Sequence, residues 1–449
     1  MIAIALCILA FAACYWAGRR SLGMGLVALM AAGYFYGLLR ANLQTTFSHF
    51  IFDTGLIGLY LSQKWTTLIP KEKKRLGVLE LWIAILILWP ILEVFLPFQP
   101  LLISLVGLRG NMFFIPLIIL GARLRERDLL EFASGLAFLN IVAFAFAVAE
   151  YYMGVPRFMP YSAVTRIIYI SQDVAGGFFR IPSIFTSAHA YGGTMVGTLP
   201  FLLGSWQRAI SRKGRLLALA GIVVSLLGVL MSATRSNFVI GSAMVIATVV
   251  TTRLSSGRRI AFLLILAGVS VTAIMNPRFQ RFTSLSDTTA VGDRIAGSVN
   301  RGFFELLVQY PMGNGLGGGG SSIPYFLEGQ VKNPIGLENQ YSAILCEQGI
   351  IGLLLWLGFL GWYLTRAPDA FRNGPWVNSR RLAWCLNVFC FGTAFIGTGL
   401  LTSIPGTVVL LLEMGWTAVP LLRDNALPES SRSRGALLLQ SQARLTYSR

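Results

Sequence analysis

About a dozen stretches of this chain are apolar over lengths that only a non-aqueous surrounding accommodates. A hydrocarbon core takes ~20 apolar residues per helix, with a range of about 17–25. By that measure the spans are Ile2–Ala17, Leu22–Leu39, Phe47–Leu61, Leu76–Phe98, Leu101–Leu120 and Leu129–Tyr151. Ser183–Ser205, Leu216–Ser232, Asn237–Thr251 and Ile260–Ile274 follow, then Ile350–Leu364, Leu382–Leu401 and Gly406–Leu421. The expected fold is an all-α polytopic membrane protein with 12 or 13 transmembrane helices. Phe47–Leu61 is short, and Leu101–Leu120 carries Arg109 and Gly110 mid-run.

Composition agrees. The 449 residues are 55% hydrophobic and 12% charged, about half the charge a soluble surface carries. A soluble globular chain is excluded, and hydrophobicity is too high for a disordered one. The five cysteines show no metal spacing and no paired framework.

The net charge of +18 is the odd quantity. Basic clusters occur at Arg19–Arg20, 64–75, 123–127, 208–215, 253–259, 366–381 and 423–449. They fall in every second loop and hold about 26 of the 37 basic residues. The positive-inside rule places them in the cytoplasm, with the N-terminus outside and the C-terminus inside. A nucleic-acid binder would gather its basic residues on one face or stripe. Here they are dispersed as membrane-flanking loops, so no nucleic-acid partner is expected.

Four regions follow. Residues 1–275 form the first ten spans, interrupted by an outer loop at 152–182. Residues 276–349 form a large outer loop, in which Phe303–Leu307 reads as a short amphipathic helix. Residues 350–422 hold the last spans. Residues 423–449 form a disordered basic cytoplasmic tail against the anionic inner leaflet.

About eleven basic residues lie outside the inner loops, among them Arg40, Arg109, Arg157, Arg180, Arg235, Arg294 and Lys332. Ionisable groups at or within a membrane boundary are functional candidates by default. Arg180 precedes the seventh span and His189 lies about two turns into it. Arg235 sits at the outer tip of the tight hairpin Ser232–Asn237. The large loop adds Arg294 and ends with Glu338-Asn339-Gln340-Tyr341, followed by Glu347. Guanidinium groups thus gather with a carboxylate on the outer face. Arginine's planar fork offers paired donors to a pyrophosphate and never deprotonates. A carboxylate in an apolar setting can serve as general base. The chemistry that fits is group transfer from a lipid-linked pyrophosphate outside the cytoplasm.

Plainer readings stand beside this one. Arg40 and Arg157 read as arginines snorkelling to headgroups, and Arg180 and Arg235 taken singly can be read the same way. His189 can be a packing histidine, and Glu338 a loop salt-bridge partner of Lys332 or Arg301. Arg109-Gly110-Asn111 reads as a helix break. The glycine-rich stretch 313–320 lacks the Lys-Ser/Thr of a phosphate loop and reads as a turn that lets backbone approach a ligand. The two histidines are far apart and no metal constellation is present.

Several segments resemble one known family. Tyr310-Pro311-Met312-Gly313-Asn314-Gly315-Leu316-Gly317, Glu338-Asn339-Gln340-Tyr341 and Glu347-Gln348-Gly349-Ile350-Ile351-Gly352-Leu353 resemble the signature of the O-antigen ligase/polymerase superfamily. Arg180–Phe185 resembles its Arg-x-x-Gly-x-Phe element, Thr234-Arg235-Ser236 its Ser-Arg element, and Asp293-Arg294 the arginine opening the amphipathic part of its large loop. The resemblance covers roughly residues 152–364.

It implies a GT-C-like fold and a bacterial inner-membrane glycosyltransferase working at the periplasmic face. The donor would be a glycan on undecaprenyl pyrophosphate, and neither metal nor cofactor would be needed. Arg180 and Arg235 would hold the pyrophosphate, and Glu338 would be the base. Arg294, His189, Asn339, Gly313 and Gly315 would contact the substrate. Family ligases carry His where this chain has Glu338, which favours a polysaccharide polymerase over transfer to lipid A-core. Partners would be lipid-linked oligosaccharide, membrane lipids and polysaccharide assembly or chain-length proteins. A rival from another class is a lipid-linked oligosaccharide flippase or transporter, which would show internal repeats or broken, charged helices near the midplane.

Overall fold

The computed structural model describes residues 1–63, 70–170, 179–251, 302–320, 323–335, 337, 339–395 and 399–420, with scattered positions between 257 and 271. The described residues are helical and contain no β-strand. The chain is an all-α polytopic membrane protein. Among the described residues, seven helical segments are long and apolar enough to cross a membrane: Ile2–Arg20, Leu22–Leu43, Leu76–Glu93, Leu101–Ala122, Glu126–Met153, Arg212–Met231 and Gln340–Phe371. Arg235–Thr251 and Gly406–Ala418 are shorter apolar helices.

In chain order the first helices are α1 (Ile2–Arg20), α2 (Leu22–Leu43), α3 (Ile51–Ser62), α4 (Pro70–Glu93), α5 (Leu101–Met112), α6 (Leu117–Ala122) and α7 (Glu126–Met153). The short α8 (Val155–Phe158) and α9 (Arg166–Ile170) precede α10 (Ala188–Arg208), α11 (Arg212–Met231) and α12 (Arg235–Thr251). After them come α13 (Phe303–Gln309), α14 (Gln340–Leu364), α15 (Ala367–Phe371), α16 (Val377–Gly392) and α17 (Gly406–Ala418). The expected amphipathic helix at Phe303–Leu307 is α13.

Four expected spans take a different form, one of them Leu382–Leu401, whose helix is the sixteen-residue α16 of Val377–Gly392. Phe47–Leu61 becomes a 3₁₀ turn, Thr46–Phe50, followed by the twelve-residue α3. Leu101–Leu120 is broken, but at Phe113–Pro116 rather than at Arg109, which stays inside α5. Pro116 has no N–H to continue the ladder. The helix within Ser183–Ser205 starts at Ala188, where Ser187 caps it by accepting the Ala190 N–H at 3.1 Å. Most of the expected span Ile260–Ile274, and the tail 423–449, lie outside the described residues.

α10 has 21 residues but is less apolar than the seven, and burial explains it. Nearly all of it is buried among α7, α11, α12, α16 and α17, so its Gly, Thr and Ser side chains face protein. Peripheral helices instead carry exposed apolar side chains, such as Ile2, Ile8, Leu9 and Trp16 on α1.

A polar hub ties four helices at their centre. Asn140 of α7 accepts from Tyr34 Oη of α2 at 2.5 Å and donates to Thr198 of α10 and Ser225 of α11, each at 2.8 Å. Thr198 and Ser225 also bond back into their own helices, so Tyr34 depends most on the asparagine. Asn140→Leu is expected to lower stability by about 1–2 kcal/mol. Adding Tyr34→Phe should recover most of that loss in equilibrium unfolding from mixed micelles.

The bundle has two distinguishable ends. At one, Arg208 pairs with Glu126 at 2.6 Å, Asp128 accepts the Gly23 N–H at 3.1 Å, and Ser62 packs on Gly18. Arg19, Arg20, Arg123 and Arg125 belong to this basic end. At the other, the C-terminus of α2 meets the segment 179–187, where the Leu38 N–H donates to Ile184 O at 3.1 Å.

Candidate functional site

The segment 179–187 is irregular yet largely buried. Gly37 makes room for it, since a Cβ there would lie 2.1 Å from the Phe185 carbonyl carbon. Ser183 has φ 54, the left-handed region that glycine favours. Its N–H donates to Glu150 Oε2 at 2.8 Å and its hydroxyl to Ala143 O at 2.6 Å. These bonds hold the turn that delivers Arg180 to the α11–α12 tip.

Arg180 is 6% exposed. Its Nε donates to Ser232 O at 3.2 Å and a terminal nitrogen reaches Ala233 O at 3.4 Å. The other terminal nitrogen lies 2.9 Å from His189 Nε2. Arg180, His189 and the hairpin tip that begins α12 at Arg235 therefore come together. The tip is kept tight by a Ser232–Thr234 hydroxyl contact at 2.7 Å, and by Gly192, whose missing Cβ leaves room for both side chains.

The glycine-rich loop packs closely against protein. Residues 313–319 are buried, and Gly313, Gly315 and Gly317 all have φ near +80. The loop runs between α5 and a break in α14. A Cβ on Gly107 would lie 2.2 Å from Gly317 N, and one on Gly313 would lie 2.9 Å from Gly349 N. The backbone approach that glycine permits is made to protein.

α14 changes direction at Gly349, whose φ of 66 and ψ of −172 are not helical. The half before the break, residues 340–348, is buried throughout. Asn339 caps it by accepting the Ser342 N–H at 2.6 Å. Asn314 N donates to Cys346 O at 2.6 Å, and Ile350 N to Pro311 O at 2.9 Å. Glu347 accepts from Asn111 Nδ2 at 2.5 Å, while Gln348 donates to Asn111 Oδ1 at 2.7 Å. Asn111, read from sequence as part of a break, thus anchors the half-helix to α5.

No protein-family model matches the chain, and no curated protein matches it. Glu338 and Arg294 lie outside the described residues. Arg180, His189 and the α12 start at Arg235 form one cluster, whereas Gly313 lies against the α14 break, Gly315 packs on Phe98 and Gln99, and Asn339 caps the start of α14. Among the described residues, no three His, Cys, Asp or Glu side chains form a group able to hold a metal.

A polar cavity of about 150 Å³ opens at the same end of the bundle. Its walls include Tyr36, Arg40, His49, Arg109, Thr402 and Ser403. Thr186 also lines it and comes from the segment that carries Arg180. Of these, the sequence singles out only Arg40, read as snorkelling, and Arg109, read as part of a helix break. The available signal was a pair of opposite charges in two apolar runs, Asp53 and Arg109. Tyr325 and Phe326 stand at the rim, their ring centroids 6.1 and 5.4 Å from that of His49.

Proposed function

We propose that this chain is a bacterial inner-membrane glycosyltransferase of the O-antigen ligase/polymerase superfamily. It takes a glycan from undecaprenyl pyrophosphate at the periplasmic face and passes it to an acceptor sugar hydroxyl. The observation that carries this reading is the convergence of Arg180 with His189 and the Ser232–Arg235 tip, positions up to 55 residues apart. That cluster lies at the end away from the basic loops, the end the positive-inside rule puts outside. Ser183 adds support, because it adopts a glycine-like backbone where the family element has glycine.

In this reading the acceptor oxygen attacks the anomeric carbon and the bond to the diphosphate oxygen breaks. Glu338 takes the acceptor proton, and polyprenyl pyrophosphate leaves with the bonding pair. Arg180 fixes the hairpin tip from which Arg235 reaches the leaving group, and developing charge is met by guanidinium donors. Tyr325 and Phe326 supply aromatic faces for sugar rings. Glutamate rather than histidine at 338 favours polymerase over ligase.

The test is polymer length with purified protein and lipid-linked substrate. Glu338→Gln is expected to lose ~10²–10⁴-fold in rate, as removal of a general base does, and Arg235→Lys to shorten the polymer. Full-length polymer from both folded variants would discard the site assignment.

The break at Gly349 favours a second reading, a lipid-linked oligosaccharide transporter, because such proteins bind cargo at discontinuous helices. Proteoliposomes without an ion gradient separate the two. Polymerisation identifies the enzyme, and transbilayer movement of intact substrate without polymer identifies the transporter.

A further inference from the structure

The cavity beside α2 and α5 has a charge balance of its own. Arg109 is committed: its Nε and one terminal nitrogen bond both oxygens of Asp53 at 2.7 and 2.8 Å, a bidentate pair. The Tyr36 hydroxyl beside it donates to His49 O at 3.1 Å. Arg40, from the last turn of α2, lies over the Tyr36 ring at 5.1 Å. Among the described residues Arg40 has no ion pair, and its Nε is buried without a hydrogen-bond partner. Two guanidinium groups therefore face one carboxylate, leaving one positive charge over.

That surplus lines a polar pocket. The cavity's ~150 Å³ is about ten times what one water needs. Thr402 and Ser403 also line the cavity, and their hydroxyls are of the type that donates to an anion. A partly enclosed guanidinium with an unused donor is costly unless something negative pairs with it. Arginine with flanking hydroxyls matches tetrahedral phosphoryl oxygens best.

We infer that this cavity is a phosphoryl-oxyanion site in which Arg40 makes the ion pair, Arg109 is the fixed wall, and Thr402 and Ser403 are the hydroxyl donors. The phosphoryl group belongs either to a lipid headgroup or to a free phosphate. The assignment rests on the cavity itself and holds whether the protein transfers glycans or transports them.

The experiment uses full-length protein in nanodiscs of zwitterionic phosphatidylcholine, titrated calorimetrically with inorganic pyrophosphate. Saturable binding is expected, weakened at least tenfold in Arg40→Gln and severalfold in Thr402→Val. Arg212→Gln at the basic end should bind as wild type does. Repeating the titration in phosphatidylglycerol nanodiscs separates the sources: competition by anionic lipid indicates a headgroup, and unchanged affinity indicates a free phosphate. Absence of wild-type binding in both lipids overturns the inference. So does unchanged affinity in folded Arg40→Gln or, should that variant not fold, in Thr402→Val. Pyrophosphate binding without polymer formation would leave this site standing and remove the transferase reading.

Discussion

Asp53→Ala is expected to destabilise the protein by about 3 kcal/mol, the lower end of what breaking a buried ion pair costs. Asp53 keeps 6% side-chain exposure and Arg109 24%, so removing the carboxylate strands a guanidinium with little water. The loss should appear as a lower midpoint in chemical unfolding from micelles, with unchanged slope. Replacing both partners, Asp53→Leu with Arg109→Met, should restore most of the stability, because no charge is then left unpaired. The double variant should still lose pyrophosphate binding, since Arg109 walls the cavity. An Asp53→Ala protein within about 0.5 kcal/mol of wild type, the ordinary scatter of surface substitutions, would mean that water compensates the arginine.

The second large effect concerns the crossing of α6 and α17. A Cβ on Gly415 would lie 1.7 Å from Ile118 O, and one on Gly121 would lie 2.1 Å from Leu412 O. Both obstacles are helix backbone and cannot rotate away as a side chain would. The helices approach closely because each presents glycine to the other, as small residues do in membrane bundles. Gly415→Ala is expected to cost at least the ~1–3 kcal/mol of overpacking. Gly121→Ala should act similarly, and the pair should not add, because one separation relieves both clashes. Melting temperature and monodispersity in detergent report the outcome; unchanged melting in Gly415→Ala would place this crossing elsewhere.

How far sequence reaches is plain from particular residues. Long apolar runs dictate helices locally, so α1, α2, α7 and α11 fall close to the expected spans. Local turn chemistry also made the Ser232–Asn237 tip legible. α10 was legible only in part: its apolar content is diluted by small polar residues that need buried neighbours from five other helices, which no single run reveals. The Arg40 cavity draws on α2, the Thr46–Phe50 turn, α5 and residues 402–404. Each contributor has an ordinary explanation alone, and only tertiary packing joins them. Glycines 313–317 are ambiguous in sequence for a related reason. Permissive backbone marks a close approach but does not say whether the approaching group is ligand or protein.

The seam between residues 311–320 and the bend at Gly349 sets how this molecule can be recombined. The Ile350 N–H and the Cys346 carbonyl, released by the bend, find their partners in Pro311 and Asn314. In hydrocarbon such main-chain groups have no other recourse. A chimera that borrows the segment before α14 from another protein must therefore carry 311–320 and 346–350 as one cassette. Cutting between them would separate a lock from its key, even though twenty-five residues intervene.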